Sequence, residues 1–350
     1  MTPLRVLVVD DQSFMRIALR RIIEADGDML VVGQARDGAE AVALAQRLKP
    51  DAVTMDVEMP GMSGLDACAE IMRSVWPSPA VIMVSAYTQS GAAATTQALR
   101  AGAVDFVSKS SLHMPTDLAQ IDSELRTKLR AWSQSATASA AAEAVVPVAV
   151  PPREQSRIPD LIVIAVSTGG PKTLTRLLKA LGPIEVPIAI ALHMPEFFTA
   201  SFAEMLAQDT GCTVREGAHR QRLEPGTVTL LPGGRDAVVA PSAEGGFELR
   251  IVRIESNVHP SADALFSSAA MVAPLPIGVV LTGMGADGAE GVRALHRKRA
   301  PILVQNPRSC IVGGMPEAAI AAVPDCEVLS VDQIAQRLGE WVRRLPAGQG

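Results

Sequence analysis

Residues 161–174 read LIVIAVSTGGPKTL. Six apolar residues with no polar alternation, Leu161–Val166, have the length of a strand and are expected to be buried on both faces. Ser167 and Thr168 follow, then two glycines and a proline, the chemistry of a tight turn running into the first turn of a helix. A fully apolar strand that turns directly into a helix opens a βα unit. The stretch therefore predicts an α/β fold with a largely parallel sheet.

The chain has 350 residues, more than one ordinary core holds, so two domains are expected. Hydrophobic residues make up 48% and charged residues 20%, enough apolar surface for both to bury an interior. The net charge of -5 and a pI near 5.6 argue against nucleic acid as a partner. Residues 158–350 agree, with 17 Lys+Arg against 19 Asp+Glu, a net of -2. No apolar run has the length of a membrane span and no charged-then-apolar leader opens the chain, so a cytoplasmic protein without membrane insertion is expected. Cys68, Cys212, Cys310 and Cys326 are far apart with no metal or redox spacing, and read as reduced, mostly buried thiols.

Composition breaks in SQSATASAAAEAVVPVAVPPREQSR, residues 133–157, which is Ala-rich and then Pro-rich and reads as a semi-stiff linker. It separates a domain at 4–132 from one at 158–350. In the first, strands are expected at Leu4–Val9, Leu30–Ala35, Ala52–Met55, Ala80–Val84 and Val104–Val107. Amphipathic stretches, among them Phe14–Ile23 and Ala39–Leu48, lie between them, and Leu118, Ile121, Leu125, Leu129 and Trp132 line one face of a last helix. Five βα units predict a doubly wound parallel sheet of flavodoxin-like type. In the second domain, strands are expected at Leu161–Val166, Val186–Leu192, Val228–Leu231 and Ile277–Thr282. Phe247–Ile254, after the turn-like SAEGG, reads as an antiparallel addition. That domain is expected to be Rossmann-like with a mixed sheet.

In an open α/β sheet, ligands gather at the carboxyl ends of the strands. Those ends in the first domain supply Asp10 and Asp11, then Asp56, Ser85 and Lys109. Three converging carboxylates repel one another unless a hard cation sits among them, which points to Mg²⁺. Metal, lysine and carboxylate together suit phosphoryl transfer onto Asp56, with Ser85 bonding the new phosphate. The structural alternative, acids that merely cap helices, suits one such residue better than a full set. VLVVDDQSFMR, VTMDVEMPGMSGLD, IMVSA and AGAVDFVSK resemble the receiver domain of two-component response regulators over about residues 4–125. The resemblance implies Asp56 as phospho-acceptor and Asp10, Asp11, Asp56 and the main chain of Glu58 around the metal. It further implies Ser85 and Phe106 as a switch pair, Lys109 as phosphate contact, and a histidine kinase as phosphodonor. Ser110 departs from it, since relatives carry proline after the lysine.

AVSTGGPKTL admits three readings: a tight turn with a helix cap, a phosphate cradle, or a nucleophilic serine on a strained elbow. Neither phosphate-loop glycine pattern is present, which weakens the second. The third needs a base and an acid. Among the histidines, His296 lies in a charged helical tail, His219 in a polar loop, and His259 before a proline where it is placed to meet substrate. His193 follows the strand Val186–Leu192 and so shares the carboxyl edge with Ser167. Asp287 follows the glycine-punctuated turn TGMGADG and opens a helix; its structural alternative is that helix's N-cap. Gly283, Gly285 and Gly288 allow close backbone approach, and N–H groups of such a turn can hold an oxyanion.

AVSTGGPKTL, LHMPEFFTASFAEML, HPSADALFSSAA, LTGMGADGAEG and GGMPEAAI resemble the catalytic domain of chemotaxis protein-glutamate methylesterases of the CheB type, over about residues 158–345. A receiver joined to that domain is the family's full architecture. The resemblance implies hydrolysis of γ-glutamyl methyl esters on chemoreceptors and deamidation of certain receptor glutamines. Ser167 is then the nucleophile, His193 the base and Asp287 its orienting acid, with Thr168 and the main chain of Met284 at the oxyanion; no cofactor is expected there. Arg235 stands where relatives commonly have histidine. The short linker suggests that the unphosphorylated receiver covers the Ser167 cleft and that phosphate on Asp56 biases it away. A receiver-linked output module without enzymatic activity is the alternative; the acidic second domain, without a basic recognition helix, argues against a DNA-binding regulator.

Overall fold

The computed structural model describes residues 2–85, 89–109, 124–132 and 158–342. The chain falls into two compact units, Met1–Ala141 and Ala142–Gly350. The expected linker at 133–157, together with Leu118, Ile121 and Ser110, lies outside the described residues.

In the first unit, β1 (Leu4–Val9), β2 (Met29–Ala35), β3 (Ala52–Asp56), β4 (Ala80–Ser85) and β5 (Asp105–Ser108) form one sheet in the order β2-β1-β3-β4-β5. All its pairings are parallel. Apart from the edge strand β2, the strands are mostly buried, with helices packed against the sheet: α1 (Ser13–Glu24), α2 (Gly38–Leu48), α3 (Gly64–Ser74), α4 (Gln89–Ala101) and α5 at 124–132. Local chemistry sets the helix starts. Asp37 accepts the Glu40 N–H to open α2, and Ser63 accepts the Asp66 N–H to open α3. Leu125, Leu129 and Trp132 of α5 are buried, as the apolar face requires. Lys128 on the same helix is buried too, held by Asp105 at 3.1 Å and Glu124 at 2.8 Å. The order reverses direction between β1 and β3, which makes their carboxyl ends the switch point where ligands bind. Gly64 is fixed by that point: a Cβ there would stand 1.8 Å from the Asp56 carbonyl oxygen.

In the second unit the strands are β6 (Leu161–Val166), β7 (Ile188–Leu192), β8 (Thr213–Glu216), β9 (Arg222–Leu223), β10 (Thr227–Leu230), β11 (Asp236–Pro241), β12 (Phe247–Val252), β13 (Pro276–Val280), β14 (Ile302–Gln305) and β15 (Glu327–Leu329). The helices are α6 (Gly170–Leu181), α7 (Phe198–Thr210), α8 (Ala262–Val272), α9 (Ala289–Arg297), α10 (Gly314–Ala322) and α11 (Val331–Val342). Seven strands form a sheet in the order β15-β14-β13-β6-β7-β10-β8, parallel throughout.

The mixed sheet expected from the sequence is therefore two sheets. β11, β12 and β9 pair antiparallel in a separate layer. The reason lies in the hairpin: Gly245 and Gly246 take positive φ and fold β12 back on β11. Ala237, Val239 and Leu249 then share a core with Leu265, Phe266 and Ala269 of α8. The Val239 N–H also donates to Ser268 Oγ of α8 at 3.0 Å. β6, with β7 on one side and β13 on the other, sits at this sheet's switch point.

Candidate functional site

Two sets of side chains gather at switch points, one in each unit. In the first unit, Asp10 and Asp11 follow β1 and Asp56 ends β3, and carboxylate oxygens of all three lie within 4.8 Å of one another. Lys109, after β5, places Nζ 2.9 Å from Asp10 Oδ2 and 2.6 Å from Asp56 Oδ2. Asp10 and Asp56 are buried and Asp11 is exposed. Burial pushes the Asp56 carboxyl up, the Lys109 hydrogen bond and charge pull it down, and Asp10 and Asp11 push it up again, to about 6. Burial lowers Lys109, but Asp56 and Asp10 outweigh it and hold the ammonium above its ordinary value. Asp10 Oδ1 accepts the Gln12 N–H at 2.9 Å. Among the described residues Asp10 Oδ2 receives no aligned hydrogen bond, although the Lys109 ammonium stands 2.9 Å from it. A buried, under-satisfied carboxylate oxygen among three acids is the donor set of a hard divalent cation. Ser85 at the end of β4 and Phe106 in β5 are both buried, while Glu58 is exposed on the loop after β3.

In the second unit, sheet register does the positioning. Val166 pairs with Leu192, and the His193 N–H donates to the Val166 carbonyl at 3.1 Å, which sets Ser167 and His193 side by side on neighbouring strand ends. On the other flank, the Ser167 N–H donates to the Thr282 carbonyl at 3.0 Å. The Gly170 N–H closes the turn onto the Ser167 carbonyl at 2.7 Å. The strained elbow entertained for Ser167 is absent: the left-handed residue of the turn is Gly169, φ +77°, and Ser167 has ordinary φ. A glycine carries the sharp bend, so the serine need not. Gly283 is required for another reason, since a Cβ there would stand 2.8 Å from Ser167 Cβ. The main-chain N–H groups of Thr168 and Met284 form no hydrogen bond among the described residues.

His193 Nε2 and Asp287 Oδ2 are 2.8 Å apart, and both side chains are nearly buried. Ser167 Oγ makes no hydrogen bond among the described residues. The structural alternative for Asp287, a cap on the helix it opens, does not hold: the N-cap of α9 is Gly288, and no side chain caps that helix. Asp287 instead accepts from the start of α8: Ala262 N–H at 2.6 Å, Asp263 N–H at 3.0 Å and Ser261 Oγ at 3.3 Å. Asp263 returns the arrangement, accepting the Gly288 N–H at 2.9 Å and the Gly291 N–H at 2.7 Å at the start of α9. The two helices thus exchange caps, each start meeting the other's carboxylate. Burial raises Asp287, but the His193 hydrogen bond and charge and the Ala262 and Asp263 N–H groups outweigh it and hold the carboxyl below the usual range. Burial raises Asp263, and the adjacent Asp287 charge adds to it.

Sequence reasoning passed over Ser261, Asp263 and Asp236. Asp236, buried at the start of β11, accepts the Ser261 N–H at 2.8 Å and bonds His259 Nδ1 at 2.8 Å. The separate sheet thereby anchors the loop that feeds α8 and Asp287. Ser261 was legible as an N-cap ahead of an apolar helix; Asp236, a lone acid opening an apolar strand, was a signal of burial with a partner. Asp236→Ala leaves the buried Ser261 N–H without its acceptor and is expected to lower unfolding free energy by about 2 kcal/mol in urea melts. His259 is partly exposed on this anchor, His219 accepts the Ile251 N–H through Nδ1, and His296 lies exposed near Asp325. Arg235 makes an exposed ion pair with Glu196 at 2.8 Å, on the loop that follows His193.

The family model described as CheB methylesterase matches residues 162–338, and the one described as response regulator receiver domain matches residues 6–120. The protein-glutamate methylesterase/protein-glutamine glutaminase 1 of Saccharophagus degradans is 38% identical over 363 residues, covering 95% of this chain and 98% of that protein. The protein of the same name from Caulobacter vibrioides is 40% identical over 325 residues, covering 91% and 92%. Among solved structures, the catalytic domain of Thermotoga maritima CheB methylesterase is 30% identical and covers 53% of this chain and 99% of its own, with a TM-score of 0.49.

Proposed function

Because the chain belongs to the CheB methylesterase family, with a response-regulator receiver domain ahead of the methylesterase domain, we propose that it is a phosphorylation-activated protein-glutamate methylesterase and protein-glutamine glutaminase. Its substrates are γ-glutamyl methyl esters and certain glutamines of chemoreceptors, and it acts in the cytosol. Among the described residues no helix is long and apolar enough to cross a membrane. The observation that carries the reading is the 2.8 Å His193–Asp287 pair beside Ser167 on adjoining strand ends.

Asp287 accepts the Nε2–H of His193, which leaves the lone pair on Nδ1. Nδ1 takes the Ser167 proton as Oγ attacks the ester carbonyl, and the Thr168 and Met284 N–H groups receive the oxyanion. The intermediate collapses as Nδ1–H protonates the departing methoxide to methanol. Water, deprotonated by the same imidazole, cleaves the acyl-serine and releases the glutamate carboxylate. With a glutamine side chain the leaving group is ammonia. Each turnover restores one negative charge on the receptor.

In the receiver, Asp56 attacks the phosphoryl group of a kinase phosphohistidine, forming its P–O bond as the P–N bond breaks. Asp10, Asp11, Asp56 and the Glu58 main-chain carbonyl would hold Mg²⁺, which neutralises phosphoryl charge when bound. Lys109 pairs with the phosphate, and Ser85 and Phe106 report it to the surface. Methanol release from methylated receptor by the whole chain tests the reading: a small phosphodonor is expected to raise the rate several-fold, and Asp56→Asn to remove the increase. A wild-type chain that releases no methanol would reject it.

Asp56 also makes a stability prediction. Its folded pKa of about 6 exceeds the ordinary value of 3.8, so the folded receiver binds this proton more tightly than the unfolded chain does. Without metal, the group's contribution therefore declines as pH rises from about 4 through about 6, by roughly 3 kcal/mol in all. In urea melts the decline is expected in wild type, absent in Asp56→Asn, and reversed by Mg²⁺ at neutral pH.

A further inference from the structure

Phe197 is a bulky aromatic in backbone that suits glycine. Its φ is +74° and its ψ -20°, left-handed, four residues after His193, and 37% of it is exposed. Neither deep burial nor backbone ease accounts for phenylalanine at such a position. Conformations of this kind persist only where the surroundings over-determine them, and they cluster at ligand-contacting segments. Here the surroundings hold the chain on both sides of the residue. Gly234 N–H donates to the Met194 carbonyl at 3.1 Å, Arg235 bonds Glu196 at 2.8 Å, and Gly233 N–H bonds Thr199 Oγ1 at 3.0 Å.

The large exposed apolar residues of the second unit include Phe197, Val258 and Met284, and these three stand on the loops that carry His193, Ser261 and Asp287. β7 and β13 flank β6, so the Phe197 loop and the Met284 turn leave the sheet on either side of Ser167. Two strand spacings amount to about 10 Å, close to the diameter of a helix with its side chains, about 10–12 Å. A helix laid across this rim presents the residues three and four positions from its esterified glutamate beside the one that reaches the serine.

We propose that Phe197 is a substrate-contacting specificity residue: its ring, with the Met284 side chain across from it, packs on apolar side chains of the receptor helix one turn from the glutamyl ester. The inference deepens the methylesterase reading and rests on it. Its test is the affinity of the full chain, inactivated by Ser167→Ala, for a fluorescently labelled, methyl-esterified helical fragment of a receptor cytoplasmic domain. Adding Phe197→Gly or Phe197→Asn, both compatible with left-handed backbone and both lacking the ring, is expected to weaken binding about tenfold, as for one aromatic anchor. Phe197→Tyr, which keeps the ring, is expected to bind like the parent. Parent-like affinity in the Gly and Asn variants, equal weakening in the Tyr variant, or a parent that does not bind the fragment would each overturn the proposal. Methanol release by the chain with Ser167 intact separates the two claims: no release, with the Kd pattern upheld, rejects the esterase and keeps the Phe197 contact.

Discussion

Ser167→Ala is expected to lower kcat for methanol release by about 10⁴-fold or more, while the variant folds and melts like wild type. Both halves follow from the same geometry. Ser167 Oγ has no hydrogen-bond partner among the described residues, so removing it leaves no buried group unsatisfied. Gly283 packs on Ser167 Cβ, which alanine retains. The loss therefore falls on the covalent step alone. Quantified methanol from methylated receptor, beside a thermal melt of each protein, checks it; equal release by the two proteins would remove the nucleophile assignment.

Asp287→Asn is expected to cost about 10³- to 10⁴-fold in kcat and, unlike the serine change, about 1–2 kcal/mol of stability. Asp287 Oδ2 accepts from His193 and Ala262, and Oδ1 from Asp263 and Ser261. Asparagine has one oxygen and one NH₂ group, so whichever way it turns, a donor faces donors. If the NH₂ meets His193, it imposes the tautomer with the proton on Nδ1 and disables the base. The Ala262 N–H shares that oxygen and suffers with it. The wild-type carboxyl sits below the usual range, so its stabilisation is complete above the ordinary carboxylate pKa and is lost as pH falls through the lowered value. Urea melts and steady-state rates on one preparation measure both effects.

Much of this was legible in the sequence because the informative residues end apolar runs. Leu161–Val166 was bounded correctly by Ser167, and the sheet carried His193 to its side through simple register. The receiver strands were found for the same reason, with ends shifted by a residue or so, as at Asp105–Ser108. Also missed was β11, a strand of ordinary length at Asp236–Pro241; the rest that stayed hidden was short or non-local. β9 has two residues and β15 three, too few for any periodicity. The only helix that sequence proximity offered Asp287 was the one it opens; the helix start it actually holds, that of α8, lies 25 residues earlier. Asp236 acts through Ser261 by a contact of the same span. Two adjacent glycines, Gly169 and Gly170, could each have taken the left-handed turn; the structure places it at Gly169.

The exchange of caps between α8 and α9 separates two kinds of obligation within the proposed catalytic set. Asp287 is a structural member before it is a chemical one, and a lineage that abandoned hydrolysis would still be pressed to keep it. Nothing in the architecture protects the serine in that way. In descendants of this fold, an intact aspartate speaks first for a sound scaffold, and the hydroxyl at position 167 is the more telling sign of chemistry.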